Sequence, residues 1–335
     1  MRAVVLSEDR PELELVELPD PEPGPGEALI RVTGCGICGS DLHVASAVAP
    51  VGMTFGHEIA GTVEAVGPGV APGSWAEGET VAVRPFTGCG TCPPCLRGRA
   101  DHCDSFALLG MGRPGGFAEL VVAQADELYR LPAAVTGMEQ ALVEPLAIGL
   151  RCVRRGGLTA TDSVVVLGAG PIGLAIIAWA RQLGVQHITV SDPSPSRRVL
   201  ATQLGATRTL DPLVDELDLL EVTLTGASVV FECTGRPGMI SQAMDIAAID
   251  GRVVVVGVCI SDDSTFPYTG LRKELDVRYA LYYERQDFLD TIEVLGRHGL
   301  ALDGFVEGTV TLEQLPSTFA SLLAGAEGGK LIITP

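Results

Sequence analysis

Two short stretches carry side chains of the kinds that bind transition metals: GCGICGSDLH at residues 34–43 and GHE at residues 56–58. A zinc ion that does chemistry keeps three protein ligands of the Cys, His and carboxylate types and leaves a fourth position open. Cys38, His57 and a glutamate supply such a set. Thiolate and neutral imidazole suit zinc and not magnesium or calcium. Taken singly, Cys38 reads equally as a small buried hydrophobe and His57 as a satisfied core histidine. Their occurrence beside Ser40 and His43 on one turn favours the metal. A substrate hydroxyl held at such an ion must pass its proton to water, and a serine followed by an imidazole makes a relay, Ser40 inward and His43 outward. Asp41 is placed to hold the far nitrogen of a ligating histidine and so fix its tautomer. The competing readings are a helix cap for Ser40 and Asp41 and a solvated position for His43.

A second cluster, GCGTCPPCLRGRADHC at residues 88–103, spaces Cys89, Cys92, Cys95 and Cys103 as C-x2-C-x2-C-x7-C. Four thiolates close a tetrahedron with no vacancy, which describes a structural zinc. Bacterial ferredoxins also begin C-x2-C-x2-C, but they continue x3-C-P, whereas Cys103 lies further on and precedes Asp104. His102 reads as a bystander, and Cys152, Cys233 and Cys259 as core fillers.

The elements that position these residues follow from local pattern. Residues 1–33 alternate apolar and polar positions between Pro and Gly clusters, as do 59–83 and 113–132, so short strands joined by turns lead into and out of both clusters. MEQALVEPLAIGLRCVRR then reads as a helix, with Glu144 before Pro145 on an apolar face. A carboxylate in such company is costly unless paired or metal-bound, the alternative being an acid at a helix amino terminus.

From Thr161 the pattern changes. VVVLGAGPIGLAIIAWARQLG is an apolar strand entering a helix through GxGxxG. Gly168 permits the turn, Gly170 lets backbone approach a pyrophosphate, Gly173 lets helix pack on strand, and Pro171 and Ile172 start the helix at the phosphates. Asp192 follows ITVS about one strand later, where a carboxylate accepts bonds from ribose hydroxyls and repels a phosphate there. NAD is therefore preferred over NADP, although Arg197 and Arg198 are near enough to meet a phosphate. Further strand and helix segments alternate, which describes a doubly wound parallel sheet; Thr234 and Gly257, at strand ends, border the nucleotide in such a sheet.

Composition narrows the class. At 335 residues two domains are expected. A net charge of -19 without clustered Lys and Arg argues against nucleic acid and anionic membrane surfaces. The most apolar run, Val164 to Ala180, is broken by Gly168, Gly170, Pro171 and Gly173, so no membrane span is expected. The amino terminus lacks a secretory hydrophobic segment, and a cytoplasmic protein with reduced cysteines is expected.

GICGSDLH, GHE, the four-cysteine lobe, GGFAEL, EPLA and VVVLGAGPIGL together resemble the zinc-dependent medium-chain alcohol and polyol dehydrogenases, over nearly the whole chain. EPLA with GHE is most similar to the sorbitol, butanediol and threonine dehydrogenase branch. The resemblance implies an α/β chain: a Rossmann domain at 148–281 and a mostly β, GroES-like catalytic domain built from 1–147 and 282–335, carrying the zinc lobe. It implies that Cys38, His57 and a glutamate hold the catalytic zinc, with Glu144 at a ligand position and Glu58 at one that exchanges. It implies reversible oxidation of a secondary alcohol, vicinal diol or polyol with hydride transfer to NAD, by a homodimer or homotetramer. Gly39 stands where a basic residue often contacts the cofactor phosphates, and Ser40 where threonine is common. Two rivals are a zinc-independent quinone or enoyl reductase of the same superfamily, which has no use for Cys38 and His57, and a non-catalytic NADH-binding redox sensor, which leaves Ser40 and His43 unexplained.

Overall fold

The computed structural model describes residues 1–9, 11–47, 49–325 and 328–335, with residues 216, 217 and 219 described by backbone only. Two sheets organise it. The strands Ser163–Leu167, His187–Ser191, Arg208–Leu210, Ala227–Glu232, Ala247–Val255 and Asp276–Tyr279 form one sheet, and every neighbouring pair is parallel. Numbered along the chain, their spatial order is 3-2-1-4-5-6, the doubly wound dinucleotide-binding arrangement. The order reverses between the first and fourth strands, opening a crevice at their carboxyl ends, where ligands gather. Strands covered on both faces by helices need continuous apolar runs, and Val164, Val166, Val229, Val230, Phe231, Val253 and Val254 are all within 2% of full burial.

The second sheet has seven strands and is mostly antiparallel. Its centre is Glu27–Gly36, paired with Glu58–Val66 on one side and with Lys330–Ile333 on the other, so the end of the chain returns to the sheet begun near its start. The helix Val143–Gly156 joins the two sheets and packs on Pro171–Gln182. The approach is close because Gly149 lacks a Cβ, which would lie 2.7 Å from that of Ala175. Trp179 Nε1 donates to Leu146 O at 2.8 Å across the same contact.

Three expectations need correcting. Gly34 and Gly36, expected from GCGICGSDLH to be turn glycines that let the backbone fold around an ion, lie in the strand Glu27–Gly36, and Ser40 and His43 lie on the helix Gly39–Ala47 that follows. Cys259 is half-buried in the loop after Val255, not a core filler, whereas Cys152 is fully buried and Cys233, partly buried, packs against the core. A cysteine near an apolar run looks like core by composition, but Cys259 falls just past the end of the run, where the chain leaves the sheet.

Candidate functional site

Register brings the first cluster together. Gly36 is paired with Glu58 in the antiparallel ladder, so Cys38, two residues beyond one strand end, meets His57, one residue before the other. A Cβ on residue 36 would stand 1.8 Å from Glu58 Oε2, so glycine there makes room for the carboxylate. The ligand atoms of Cys38, His57 and Glu58 all lie within 4.8 Å of one another.

Asp41, wholly buried, ties the pair from behind. Its Oδ2 accepts from Cys38 N at 3.0 Å, and its Oδ1 lies 3.3 Å from His57 Nδ1, close enough to pair though not aligned as a full hydrogen bond. With Nδ1 turned to Asp41, Nε2 is the atom left to bind. Ser40 Oγ donates to Cys38 Sγ at 3.1 Å, which sets the hydroxyl at the rim of the cluster, and His43 is exposed one helical turn further on. Burial pulls the His57 pKa down, yet the Asp41 carboxylate and then Cys38 outweigh it and hold the imidazole well above its usual value. Surroundings that favour a positive charge this strongly favour a divalent cation at the same place. Glu58 Oε2 is a further sign: it is buried and has no hydrogen-bond partner among the described residues. A thiol, an imidazole and an unsatisfied carboxylate oxygen fit zinc.

Glu58 Oε1 is engaged elsewhere. It accepts from Lys330 Nζ at 2.6 Å, and the same ammonium donates to Ile37 O at 2.9 Å, with both side chains of the pair 1% exposed. Lys330 was not among the residues expected at the site. Its signal was a charge inside an otherwise apolar strand, KLII, on the last element of the chain. Glu144 occupies the first turn of Val143–Gly156, 7% exposed and outside the cluster of three. Burial pushes its carboxyl up to about 7, with His57 opposing and Glu58 adding to the rise.

The four sulfurs of Cys89, Cys92, Cys95 and Cys103 also lie within 4.8 Å of one another. Backbone N–H groups point at them: Cys89 N and Ser105 N at Cys103 Sγ, and Cys92 N at Cys89 Sγ, each at 3.3 Å. Donors aimed at sulfur favour thiolate, and bonds from Thr91 and Cys92 bring the Cys89 thiol down to about 6. The set fits a closed zinc site. His102 instead pairs with Asp101, 2.6 Å away.

At the head of the parallel sheet each glycine of GxGxxG has a distinct steric role. Gly168 has φ +95°; an added Cβ on Gly170 would meet nothing within 4 Å, leaving its backbone open to a ligand; one on Gly173 would stand 2.0 Å from Gly168 O. Pro171 and Ile172 open the helix Pro171–Gln182, half-buried at its amino end. Asp192, 3% exposed, accepts from Ala169 N at 2.7 Å and from Ser194 N at 2.8 Å, so it braces the glycine loop as well as facing it. Arg198 is spent on Asp192 O, Pro193 O and Asp211, whereas the buried Nε of Arg197 has no partner among the described residues. Thr234 and Gly257 each lie two residues past the ends of adjacent strands, and the two loops close on one another, since a Cβ on Gly257 would reach 2.0 Å from Gly235 N. Glu232, unforeseen and 1% exposed, accepts from Thr234 N, Thr234 Oγ and Gly235 N and fixes that loop. Its ECTG setting gave no motif by which to find it.

Comparison with known proteins agrees with this architecture. Residues 24–133 match the alcohol dehydrogenase GroES-like domain and residues 171–297 the zinc-binding dehydrogenase domain. The chain is 34% identical over 318 residues to 2-dehydro-3-deoxy-L-galactonate 5-dehydrogenase of Pseudoalteromonas atlantica, covering 93% of this chain and 92% of that one. Among solved structures it is similar to galactitol-1-phosphate dehydrogenase from Escherichia coli, with TM-score 0.92, 28% identity and both chains covered in full. It is also similar to an alcohol dehydrogenase from E. coli CFT073 complexed with NADH, with TM-score 0.93 and 27% identity over 100% of this chain and 99% of that one.

Proposed function

The chain belongs to the zinc-binding alcohol and polyol dehydrogenase family, oxidoreductases of alcohols that use NAD(P), and we propose that its own substrate is polyhydroxylated, a polyol or vicinal diol oxidised at a secondary carbon. The observation that carries this reading is the cluster of half-buried Cys38 with buried His57 and Glu58, with Ser40 at its rim. The names of the similar proteins, a deoxygalactonate and a galactitol phosphate dehydrogenase, support the substrate class.

In this proposal Cys38, His57 and a glutamate hold the catalytic zinc, Glu58 by its free oxygen or Glu144 in exchange, and Cys89, Cys92, Cys95 and Cys103 hold the structural one. Bound zinc supplies Lewis-acid chemistry, able to lower the pKa of an oxygen ligand from near 16 to about 7. Asp41 fixes the ring of His57. Ser40 takes up the proton of the substrate hydroxyl and His43, on the same helix face and exposed, passes it to solvent. Gly168, Gly170 and Gly173, with the amino end of Pro171–Gln182, cradle the cofactor pyrophosphate. Asp192 faces the ribose and favours NAD over NADP, Arg197 lies alongside, and Thr234 and Gly257 border the nucleotide.

The domain division follows the two sheets: 148–281 as the nucleotide-binding domain, 1–147 and 282–335 as the catalytic one, a division that the pairing of Lys330–Ile333 with Glu27–Gly36 supports. A homodimer or homotetramer is part of the proposal. The strand Asp276–Tyr279 is at the edge of its sheet among the described residues, and Tyr279 and Leu281, at and just after it, are exposed, as are Val258, Ile260, Phe266 and Leu271. Among the described residues no helix is long and apolar enough to cross a membrane. A cytoplasmic location is part of the proposal, supported by the grouping of Cys89, Cys92, Cys95 and Cys103 as a metal-thiolate set. The test is a panel of secondary monoalcohols, vicinal diols and polyols with NAD and with NADP. Turnover of a polyol or diol with NAD is expected; turnover confined to simple alcohols sinks the proposal.

A further inference from the structure

One side chain near the site is held in a conformation its backbone resists. Among the described residues four that are not glycine have positive φ: Asp250, Glu274, Tyr282 and His298. Glu274 caps the helix Pro267–Lys273, His298 follows the helix Arg285–Gly296, and Asp250 sits in the irregular part of Ala247–Val255. Tyr282, at φ +56°, is the bulky one, and it lies in neither cap nor strand, between Tyr279 and the helix cap Glu284. A left-handed aromatic residue is costly, and such residues persist where something is gained from them.

The gain is visible in the rings. In extended chain successive side chains point to opposite sides. Here Tyr282 and Tyr283 both reach Phe86, with ring centroids 5.7 Å and 5.2 Å away, and Tyr282 also meets Phe106 at 5.1 Å. Phe86 pairs with Leu108 in the short ladder of Phe86–Thr87 with Ala107–Leu108, and Gly110, two residues beyond Leu108, packs on the backbone of Gly56, where an added Cβ would stand 2.8 Å from Gly56 N, next to His57. Phe86 and Phe106 therefore form a shelf beside the metal-binding cluster, and the turn at residue 282 lays a phenol on it. The Tyr283 hydroxyl is buried toward Glu144. The Tyr282 side chain is only half-buried, and its hydroxyl has no protein partner among the described residues. Burial pushes its pKa up, and the charges of His57, Asp101 and Glu144 reach it, so at neutral pH it stands protonated beside the cluster as a free donor.

We propose that Tyr282 orients the substrate: its phenol hydrogen-bonds a hydroxyl adjacent to the reacting carbon and makes the site prefer polyols and vicinal diols to simple secondary alcohols. This rests on the polyhydroxylated-substrate reading above and assigns it a residue. The backbone conformation at residue 282 exists, on this account, to turn that ring toward the shelf and not toward solvent.

The test is Tyr282→Phe, which keeps the ring and removes only the hydroxyl. Wild type and variant are each assayed on the fastest polyhydroxylated substrate of the panel and on its counterpart lacking the hydroxyl next to the reacting carbon. The ratio of the two kcat/KM values is expected to fall roughly tenfold in the variant, the worth of one neutral hydrogen bond, with KM for NAD unchanged. Because both substrates are measured in one preparation, any inactive fraction cancels. A ratio within about twofold of wild type overturns the assignment of Tyr282 while leaving the substrate class standing. Wild-type enzyme that turns over no polyol or diol overturns the substrate class, and the role of Tyr282 with it.

Discussion

Replacing Lys330 with methionine keeps most of the side-chain stem and removes its charge, and the consequence can be worked out from the site. Lys330 Nζ donates to Glu58 Oε1 at 2.6 Å and to Ile37 O at 2.9 Å in surroundings that leave both side chains 1% exposed. Removing one partner of a buried ion pair costs about 3–5 kcal/mol, because the surviving charge is left without compensation. Glu58 has another cation to turn to when zinc is present, since its carboxylate lies with the ligand atoms of Cys38 and His57 and its second oxygen has no hydrogen-bond partner among the described residues. The loss in Lys330→Met is therefore expected to be about 3–5 kcal/mol after chelation and smaller by about 2 kcal/mol or more with zinc restored. Glu58→Gln alone strands the lysine instead. Carrying both changes removes both charges, so in the chelated protein the double variant should cost less than the sum of the singles by about 3 kcal/mol. Denaturant unfolding of the four proteins, with and without zinc, measures this. Additive single losses, or a Lys330→Met loss that zinc leaves unchanged, would refute the reasoning.

Further outcomes follow from the same geometry. Asp41→Asn, which loosens the backing of His57, should weaken zinc binding at the cluster about 10–100-fold in competition with a chromophoric chelator; an unaltered affinity would show that Asp41 is not the orienting group. Gly170→Ala should leave the free protein as stable as wild type, because the added methyl meets nothing, while weakening NADH binding; Gly173→Ala should destabilise the free protein, because its methyl would stand 2.0 Å from Gly168 O. NADH titration and thermal unfolding separate the two, and a pair of variants alike in both measurements contradicts the distinct roles given to these glycines. Glu144→Gln removes a buried carboxyl close enough to feel His57 and Glu58, and with it the negative charge that bound zinc would draw from it, and should slow hydride transfer in a single turnover at saturating zinc; an unchanged rate counts against a part for that carboxyl in the reaction.

The parallel sheet was legible because GxGxxG sits between a strand and a helix with Asp192 at the next strand end, and each requirement is local in sequence. The two groups of residues able to hold a metal were legible because thiol spacing and the Cys38 and His57 pair are chemically unusual. What stayed hidden is long-range. Lys330 reaches Glu58 only because the last strand pairs with Glu27–Gly36, a register that no short window contains. The placing of Gly36 opposite Glu58 is of the same kind: the glycine looked like a turn residue, and only the ladder shows that it is absent side chain making space. Glu232 and Tyr282 carry no motif, and their work lies in backbone hydrogen bonds and a positive φ that composition does not reveal.

The proposed chemistry requires Cys38 and His57 to grip one zinc between them. Anomalous scattering measured across the zinc absorption edge, on crystals grown with NADH, tests this directly. Two zinc peaks per chain are expected, one enclosed by Cys89, Cys92, Cys95 and Cys103 and the other against Cys38 and His57 with a carboxylate of Glu58 or Glu144. A single peak, confined to the cysteine lobe in zinc-replete crystals, would contradict it.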